Sequence, residues 1–292
     1  MGTSHFGAPA FSLLAKQHNV VAVFTQRPKP RGRGMQVTLS PINELALKKD
    51  IPVYTPTTLR SQEVLDLISS IQADVIVVCS YGFIVPEEIL KAKKYGCLNI
   101  HPSSLPKYRG AAPLQYTIIN GDATTEVCVM QMDAGLDTGP VILRQKLDIG
   151  ANISLTMLHD QCGQIGAELL MRVLQDIEIL PRIAQSQHDA SYAHKLTKQD
   201  GRINWNKSAW EIDCQIRGMN PWPGTCFLHE GGEIKLLEAS VVSLSHQFQP
   251  GTVINDQLLI ACSQDALQIK RLQKSGGKAL SAQDFLRGYQ IP

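Results

Sequence analysis

The densest run of chemically capable residues reads Asn99-Ile100-His101-Pro102-Ser103-Ser104-Leu105-Pro106-Lys107-Tyr108-Arg109-Gly110-Ala111-Ala112-Pro113. It starts at the end of an apolar stretch, 97–100, that reads as a strand. Strand alternation sets Asn99 and His101 on one face and Ile100 on the other, so an amide and an imidazole converge on one spot. Such a pair suits a reaction in which a carbonyl is polarised and a proton is moved. Downstream, Met132-Asp133-Ala134-Gly135-Leu136-Asp137-Thr138-Gly139-Pro140 carries two carboxylates in a Gly-punctuated loop. A carboxylate beside an imidazole fixes its tautomer and orients it for acid-base work. Read alone, each Asp serves equally well as a turn former, and a histidine at a strand end as a satisfied core residue.

The loop 26–34 reads Gln-Arg-Pro-Lys-Pro-Arg-Gly-Arg-Gly and brings together Arg27, Lys29, Arg31 and Arg33. Guanidinium forks in an extended loop suit phosphate contacts, although a solvated surface loop has the same composition. A second basic group, Lys270, Arg271, Lys274 and Lys278, encloses Gly276-Gly277 near the C-terminus. No G-x-G-x-x-G follows a strand and no Walker A pattern occurs, which disfavours a dinucleotide or P-loop site. The seven Cys are odd in number and never spaced C-x-x-C. A disulfide framework and a zinc cluster are therefore poor readings, and buried thiols in a reducing cytosol are the better one. Cys128 and Cys162, in apolar stretches, read as core rather than as nucleophiles. No metal is expected.

Positioning these residues requires an α/β framework. Short β-branched runs at 20–25, 75–79, 97–100, 126–132 and 141–144 alternate with amphipathic stretches at 61–72, 86–94 and 154–177, the pattern of a parallel sheet flanked by helices. Residues 181–198 are polar and aperiodic and read as a linker. Beyond them, alternating runs at 225–229, 233–242, 251–254, 258–262 and 266–272 are separated by turn residues, which predicts a small barrel. A length of 292 residues fits two domains of about 150 residues. With 43% hydrophobic and 18% charged residues and a net charge of +2, both halves can bury cores, and disordered or polycationic classes are excluded. No apolar run of about 18 residues predicts a membrane span, and Met1 to Ala10 lacks the pattern of a secretory leader.

Taken together, the motifs resemble the methionyl-tRNA formyltransferases. The likeness runs through Gly2-Thr3, Phe24-Thr25-Gln26, Gly32-Arg33-Gly34, Ser40-Pro41, Ala73-Asp74, Tyr81-Gly82 and the whole of 99–113. It continues in Met130-Gln131-Met132-Asp133, Gly135-Leu136-Asp137-Thr138-Gly139, Asn220-Pro221-Trp222-Pro223 and Ser281-Ala282-Gln283-Asp284. The Asn-x-His motif with a distant Asp is shared by formyltetrahydrofolate-using transferases and hydrolases. The R-G-R-G loop, N-P-W-P and a C-terminal barrel single out the tRNA enzymes.

The resemblance implies a Rossmann-like, doubly wound parallel-sheet catalytic domain over 1–180, a linker over 181–198 and an OB-like tRNA-binding β-barrel over 199–292. It also implies transfer of the formyl group of the co-substrate 10-formyltetrahydrofolate to methionyl initiator tRNA, without a metal, by a cytoplasmic monomer. Asn99, His101 and Asp137 match the family's catalytic trio; for such a transfer, Asn99 and His101 are expected to donate to the oxyanion while Asp137 orients His101 and helps accept the proton, directly or through water. Ser103, Ser104, Leu105 and Pro106 match its folate-binding S-L-L-P segment, with Ser104 replacing an apolar residue. Arg27, Lys29, Arg31 and Arg33 would approach the acceptor end of the tRNA while Lys270, Arg271, Lys274 and Lys278 hold its backbone. The family places an apolar strand ahead of the Gly-Thr loop, so a first strand is expected before Met1. Two alternatives share the Asn, His and Asp: a formyltransferase acting on a small amine, or a formyltetrahydrofolate hydrolase. A further one is an RNA-binding protein with an inactive transferase site.

Overall fold

The computed structural model describes residues 1–31, 36–230, 232–289 and 291, the side chains of residues 29–31 and 36 excepted. The helices that matter here are α1 (Ala8–Gln17), α2 (Gln62–Ser70), α3 (Pro113–Ile119), α4 (Leu155–Gln175) and α5 (Ala209–Met219). The strands that matter here are β1 (Val23–Phe24), β2 (Val53–Tyr54), β3 (Ile76–Val78), β4 (Cys97–His101), β5 (Thr124–Gln131) and β6 (Val141–Asp148). They are followed by β7 (Thr225–His229), β8 (Gly232–Val242), β9 (Leu259–Ala261), β10 (Ala266–Lys274) and β11 (Leu280–Ser281). The chain divides into two compact units. One comprises Met1–Gly110, Thr124–Asp148 and His159–Tyr192; the other comprises Ala111–Ala123, Ile149–Leu158 and Ala193–Pro292.

In the first unit the four-stranded sheet runs β3-β4-β5-β6. Only β3 and β4 are parallel; β5 runs antiparallel to both β4 and β6. The expectation of an all-parallel sheet is thus corrected to a mixed one. The loop 132–140 joining β5 to β6 is too short for a helical crossover, which takes about a dozen residues or more. Behind the sheet, α4 comes so close that a Cβ on Gly166 would stand 2.4 Å from Ile100 Cγ2. Ile100 therefore faces the helix, and Asn99 and His101 face the other way.

The run expected at 20–25 contributes only the two residues of β1, paired in parallel with β2. Met1 and Gly2 lie between β1 and β3. Gly2 N donates to Phe24 O at 2.9 Å, Cys79 N donates to Met1 O at 2.9 Å, and the Met1 α-amine donates to Val77 O at 2.6 Å. Beside them is a largely apolar cavity of about 390 Å3, lined among others by Phe11, Val23, Ile68, Val77 and Leu174. Burial pushes the Met1 α-amine down to about 6.

The second unit contains an antiparallel sheet in the order β7-β8-β10-β9, with β11 on β10. The sheet is open: among the described residues no ladder closes it into the expected barrel. The stretch 251–254 forms the single bridge Val253↔Ile260 rather than a strand. Its core gathers Ile212 and Ile216 of α5 with Leu236, Leu267, Leu272 and Phe285. A capping box starts α5: Ser208 Oγ accepts from Glu211 N, and Glu211 Oε2 accepts from Ser208 N. Helix α3 belongs here because Gly218 lets α5 lie against it; a Cβ at that position would meet Ile119 Cγ1 at 2.8 Å.

Candidate active site

Strand β4 carries Asn99 and His101 outward at its carboxyl end, where open α/β sheets bind ligands. The Asn99 amide donates from Nδ2 to Val78 O of β3 at 3.2 Å, while its Oδ1 is buried with no hydrogen-bond partner among the described residues. His101 is 5% exposed, and its Nε2 lies 3.0 Å from Tyr108 O. A carbonyl oxygen can only accept, so in that contact Nε2 carries the hydrogen. The remaining nitrogen, Nδ1, lies 3.7 Å from Asp137 Oδ2. A neutral ring therefore turns a lone pair toward a carboxylate, and a proton or an N–H donor is what that pair lacks.

The two carboxylates of the Gly-rich loop have different tasks. Asp133 is the turn former: its Oδ1 accepts from Gly135 N at 3.1 Å and from Thr138 Oγ1 at 2.7 Å. Asp137 is directed at His101, with Oδ2 also accepting from Gly110 N at 2.8 Å. Asp137 has φ of 53°, a left-handed conformation that Asp tolerates better than most side chains. Gly139 permits a close approach, since a Cβ there would stand 1.9 Å from Gln131 O.

The segment 103–106 divides by burial. Ser103 and Leu105 are turned inward: Ser103 Oγ donates to Lys107 O at 2.6 Å, and Leu105 packs with Cys128, Met130 and Val141. Ser104 and Pro106 are half-buried and offer side-chain surface. Three stretches that carry the resemblance also meet: Thr3 Oγ1 donates to Tyr81 O, and Gln26 reaches both Thr3 Oγ1 and Tyr81 O.

Among the cations, Arg27 is exposed and donates from Nε to Thr55 O at 3.0 Å. The side chains of Lys29 and Arg31, and Arg33 entirely, lie outside the described residues. Lys270, Arg271, Lys274 and Lys278 are all exposed in the second unit. Two register shifts against β8, around Glu238, set Lys270 and Arg271 both outward although they are consecutive in β10. Lys274 Nζ sits 4.3 Å from the centroid of the Tyr289 ring.

Sequence reasoning missed the supports of the pair: the Tyr108 carbonyl, the Gly110 amide, and Arg109, Gln185 and Ser191. Arg109 is wholly buried, and its guanidinium hydrogen bonds end on the side-chain oxygens of Gln185 and Gln187. Part of the stretch read as a linker is held by the backbone: Ile183 exchanges two hydrogen bonds of 2.9 Å with Val141, and Arg109 N donates to Ser191 O. Being polar and aperiodic, that stretch carries no pattern from which this docking is legible.

Among the described residues no cluster of His, Cys, Asp and Glu has the makings of a metal site, and no helix is long and apolar enough to cross a membrane.

The fold and site define a formyl transferase: residues 2–174 match the formyl transferase family and residues 195–290 match the formyl transferase C-terminal domain. The chain belongs to the methionyl-tRNA formyltransferase family. It is 54% identical over 293 residues to the methionyl-tRNA formyltransferase of Rickettsia bellii (strain RML369-C), covering 100% of this chain and 96% of that one. The Rickettsia rickettsii (strain Iowa) enzyme is 53% identical with the same coverage. In shape the chain resembles the crystal structure of an N-formyltransferase from Helicobacter canadensis, with a TM-score of 0.71 at 18% identity, covering 94% of this chain and 97% of that one.

Proposed function

We propose that this chain transfers the formyl group of 10-formyltetrahydrofolate to the α-amine of methionine esterified to initiator tRNA, for translation initiation. The observation that carries the reading is the His101–Asp137 pair, 3.7 Å apart, in a chain of this family. The folate supplies the formyl group as an amide at its N10. When the amine attacks, a nitrogen–carbon bond forms, negative charge collects on the formyl oxygen, and the amine holds a surplus proton. When the carbon–N10 bond breaks, the departing nitrogen needs a proton back.

Asn99 supports both sides of this exchange. One Nδ2 hydrogen is held by Val78 O, leaving the second for the oxyanion, while the unpartnered Oδ1 accepts an N–H of the attacking amine. His101, anchored through Nε2 on Tyr108 O, takes the amine proton at Nδ1 and returns it to the leaving nitrogen. The Asp137 carboxylate holds the imidazolium between the two steps. The sequence reading shares the oxyanion between Asn99 and His101; the Tyr108 contact favours the proton-carrying role for the ring.

Ser104 and Pro106 offer side chains to the folate, and Ser103 and Leu105 hold that segment from below. Arg27, Lys29, Arg31 and Arg33 contact the acceptor end of the tRNA, and Lys270, Arg271, Lys274 and Lys278 its phosphates. The C-terminal sheet is read as an open relative of the OB fold that binds tRNA, following a Rossmann-like catalytic domain. The enzyme works as a monomer in the cytosol, which suits seven free thiols.

The test is formyl transfer by the purified chain to charged initiator tRNA, charged elongator tRNA, uncharged tRNA and a small amine. Formylation confined to charged initiator tRNA is the expected result. Equal transfer to the small amine, or release of formate without tRNA, overturns the reading.

A further inference from the structure

We propose that the segment 183–191 is a strap that positions the His101–Asp137 pair from both sides, with Gln185 and Ser191 as positioning residues. The inference rests on the transfer reaction proposed above.

Gln185 has every hydrogen-bonding position filled. Its Oε1 accepts from Arg109 Nε at 3.1 Å and Nη2 at 2.9 Å, and its Nε2 donates to Asp137 O at 2.9 Å and Gly139 O at 2.7 Å. The buried guanidinium can only donate and the two carbonyls can only accept, so only one orientation of the amide satisfies all four bonds. Gln185 thus transmits the fixed position of Arg109 to the backbone on both sides of Thr138. The clamp acts on Asp137, whose left-handed backbone needs outside support.

On the other side, Ser191 Oγ accepts from Tyr108 N at 3.0 Å. Tyr108 is also left-handed, with φ of 60°, and its carbonyl receives the His101 Nε2 hydrogen. Ser191 N donates to Pro106 O, and its own carbonyl accepts from Arg109 N. One segment therefore fixes the Asp137 loop through Gln185 and the anchor of the His101 ring through Ser191. It meets Asp137 only at the backbone carbonyl and His101 only through Tyr108, so its effect is on their geometry.

Three variants of the full chain test this. Gln185→Glu keeps an oxygen for Arg109 but sets a carboxylate oxygen against the carbonyls of Asp137 and Gly139. Ser191→Ala removes the hydroxyl that holds Tyr108. His188→Ala, in the same segment with its side chain 97% exposed, is the control. For Gln185→Glu the expected result is a kcat loss of about tenfold or more, with KM for tRNA and folate within about twofold, because small displacements of reacting groups act on the chemical step. Ser191→Ala is expected to lower kcat in the same KM-independent way, and His188→Ala to leave it unchanged. Hydrogen exchange of the Thr138 and Gly139 amides should accelerate in Gln185→Glu and not in His188→Ala.

The strap is overturned if Gln185→Glu and Ser191→Ala keep kcat within about twofold of the parent, or if only KM changes. It is also overturned if the loss in both variants tracks a fall in thermal stability. An inactive parent chain sinks the transfer reading itself. An active parent, with Asp137→Asn inactive and both strap variants fully active, sinks the strap alone.

Discussion

Nδ1 of His101 faces Oδ2 of Asp137 at 3.7 Å, while the opposite ring nitrogen lies 3.0 Å from the carbonyl of Tyr108. That arrangement orders the imidazole before any substrate arrives. The hydrogen is pinned at Nε2, and Nδ1 is left as the proton-accepting position beside a carboxylate.

Asp137→Asn removes the charge that holds the imidazolium and keeps the side-chain shape. Asn also tolerates the left-handed backbone at φ of 53°, so the fold should persist. The expected outcome is a kcat loss on the order of 10²-fold or more, with KM little changed, as when an orienting carboxylate is neutralised. Steady-state kinetics with a circular dichroism control checks it.

Asn99→Ala removes the amide proposed to face the formyl oxygen, and loss of one such donor costs about 10²- to 10³-fold in rate. Turnover within about twofold of the parent would remove Asn99 from the reaction.

Gly139→Ala sets a methyl group 1.9 Å from Gln131 O, a backbone atom that cannot rotate away. The loop must shift and take Asp137 with it. Destabilisation of about 1–3 kcal/mol, in the range of overpacked sites, should appear as a lower urea midpoint together with a kcat loss. An unchanged midpoint and unchanged kcat would show that the loop is softer than its packing implies.

Apparent tRNA affinity should fall steeply with salt, because a protein that neutralises phosphates releases their counterions. Replacing both Lys270 and Arg271 by Ala should flatten the slope of log affinity against log salt by about one to two, roughly one for each phosphate no longer neutralised. Titrations from low to moderate salt check this; a slope equal to the parent's would remove these cations from the tRNA path.

Much of the framework was legible in the sequence because it follows from periodicity. The alternation of Asn99, Ile100 and His101 predicts their opposite faces, and Gly166 packed on Ile100 realises it. The run at 225–229 coincides with β7, and the amphipathic stretch 154–177 contains α4. Strand direction was not legible. Val127, Cys128, Val129 and Met130 are all fully or almost fully buried, and a run buried on both faces reads the same whichever way it points.

What the sequence settled by itself was the set of local choices: which residues are apolar, where turns fall, and which side chains are chemically capable. Residue type and spacing left open which of two loop carboxylates meets the imidazole; the family likeness pointed to Asp137, and the tertiary structure turns that one toward the ring. Asp133 and Asp137 are equivalent as turn formers, and only the path of the backbone sets one against Thr138 at the exposed edge of the loop and the other toward His101. Tertiary structure also decided how residues 183–191, within the stretch read as a linker, are held. Their hold consists of backbone hydrogen bonds and two side-chain clamps. Such bonds depend on distance and direction in space, which no spacing along the chain encodes.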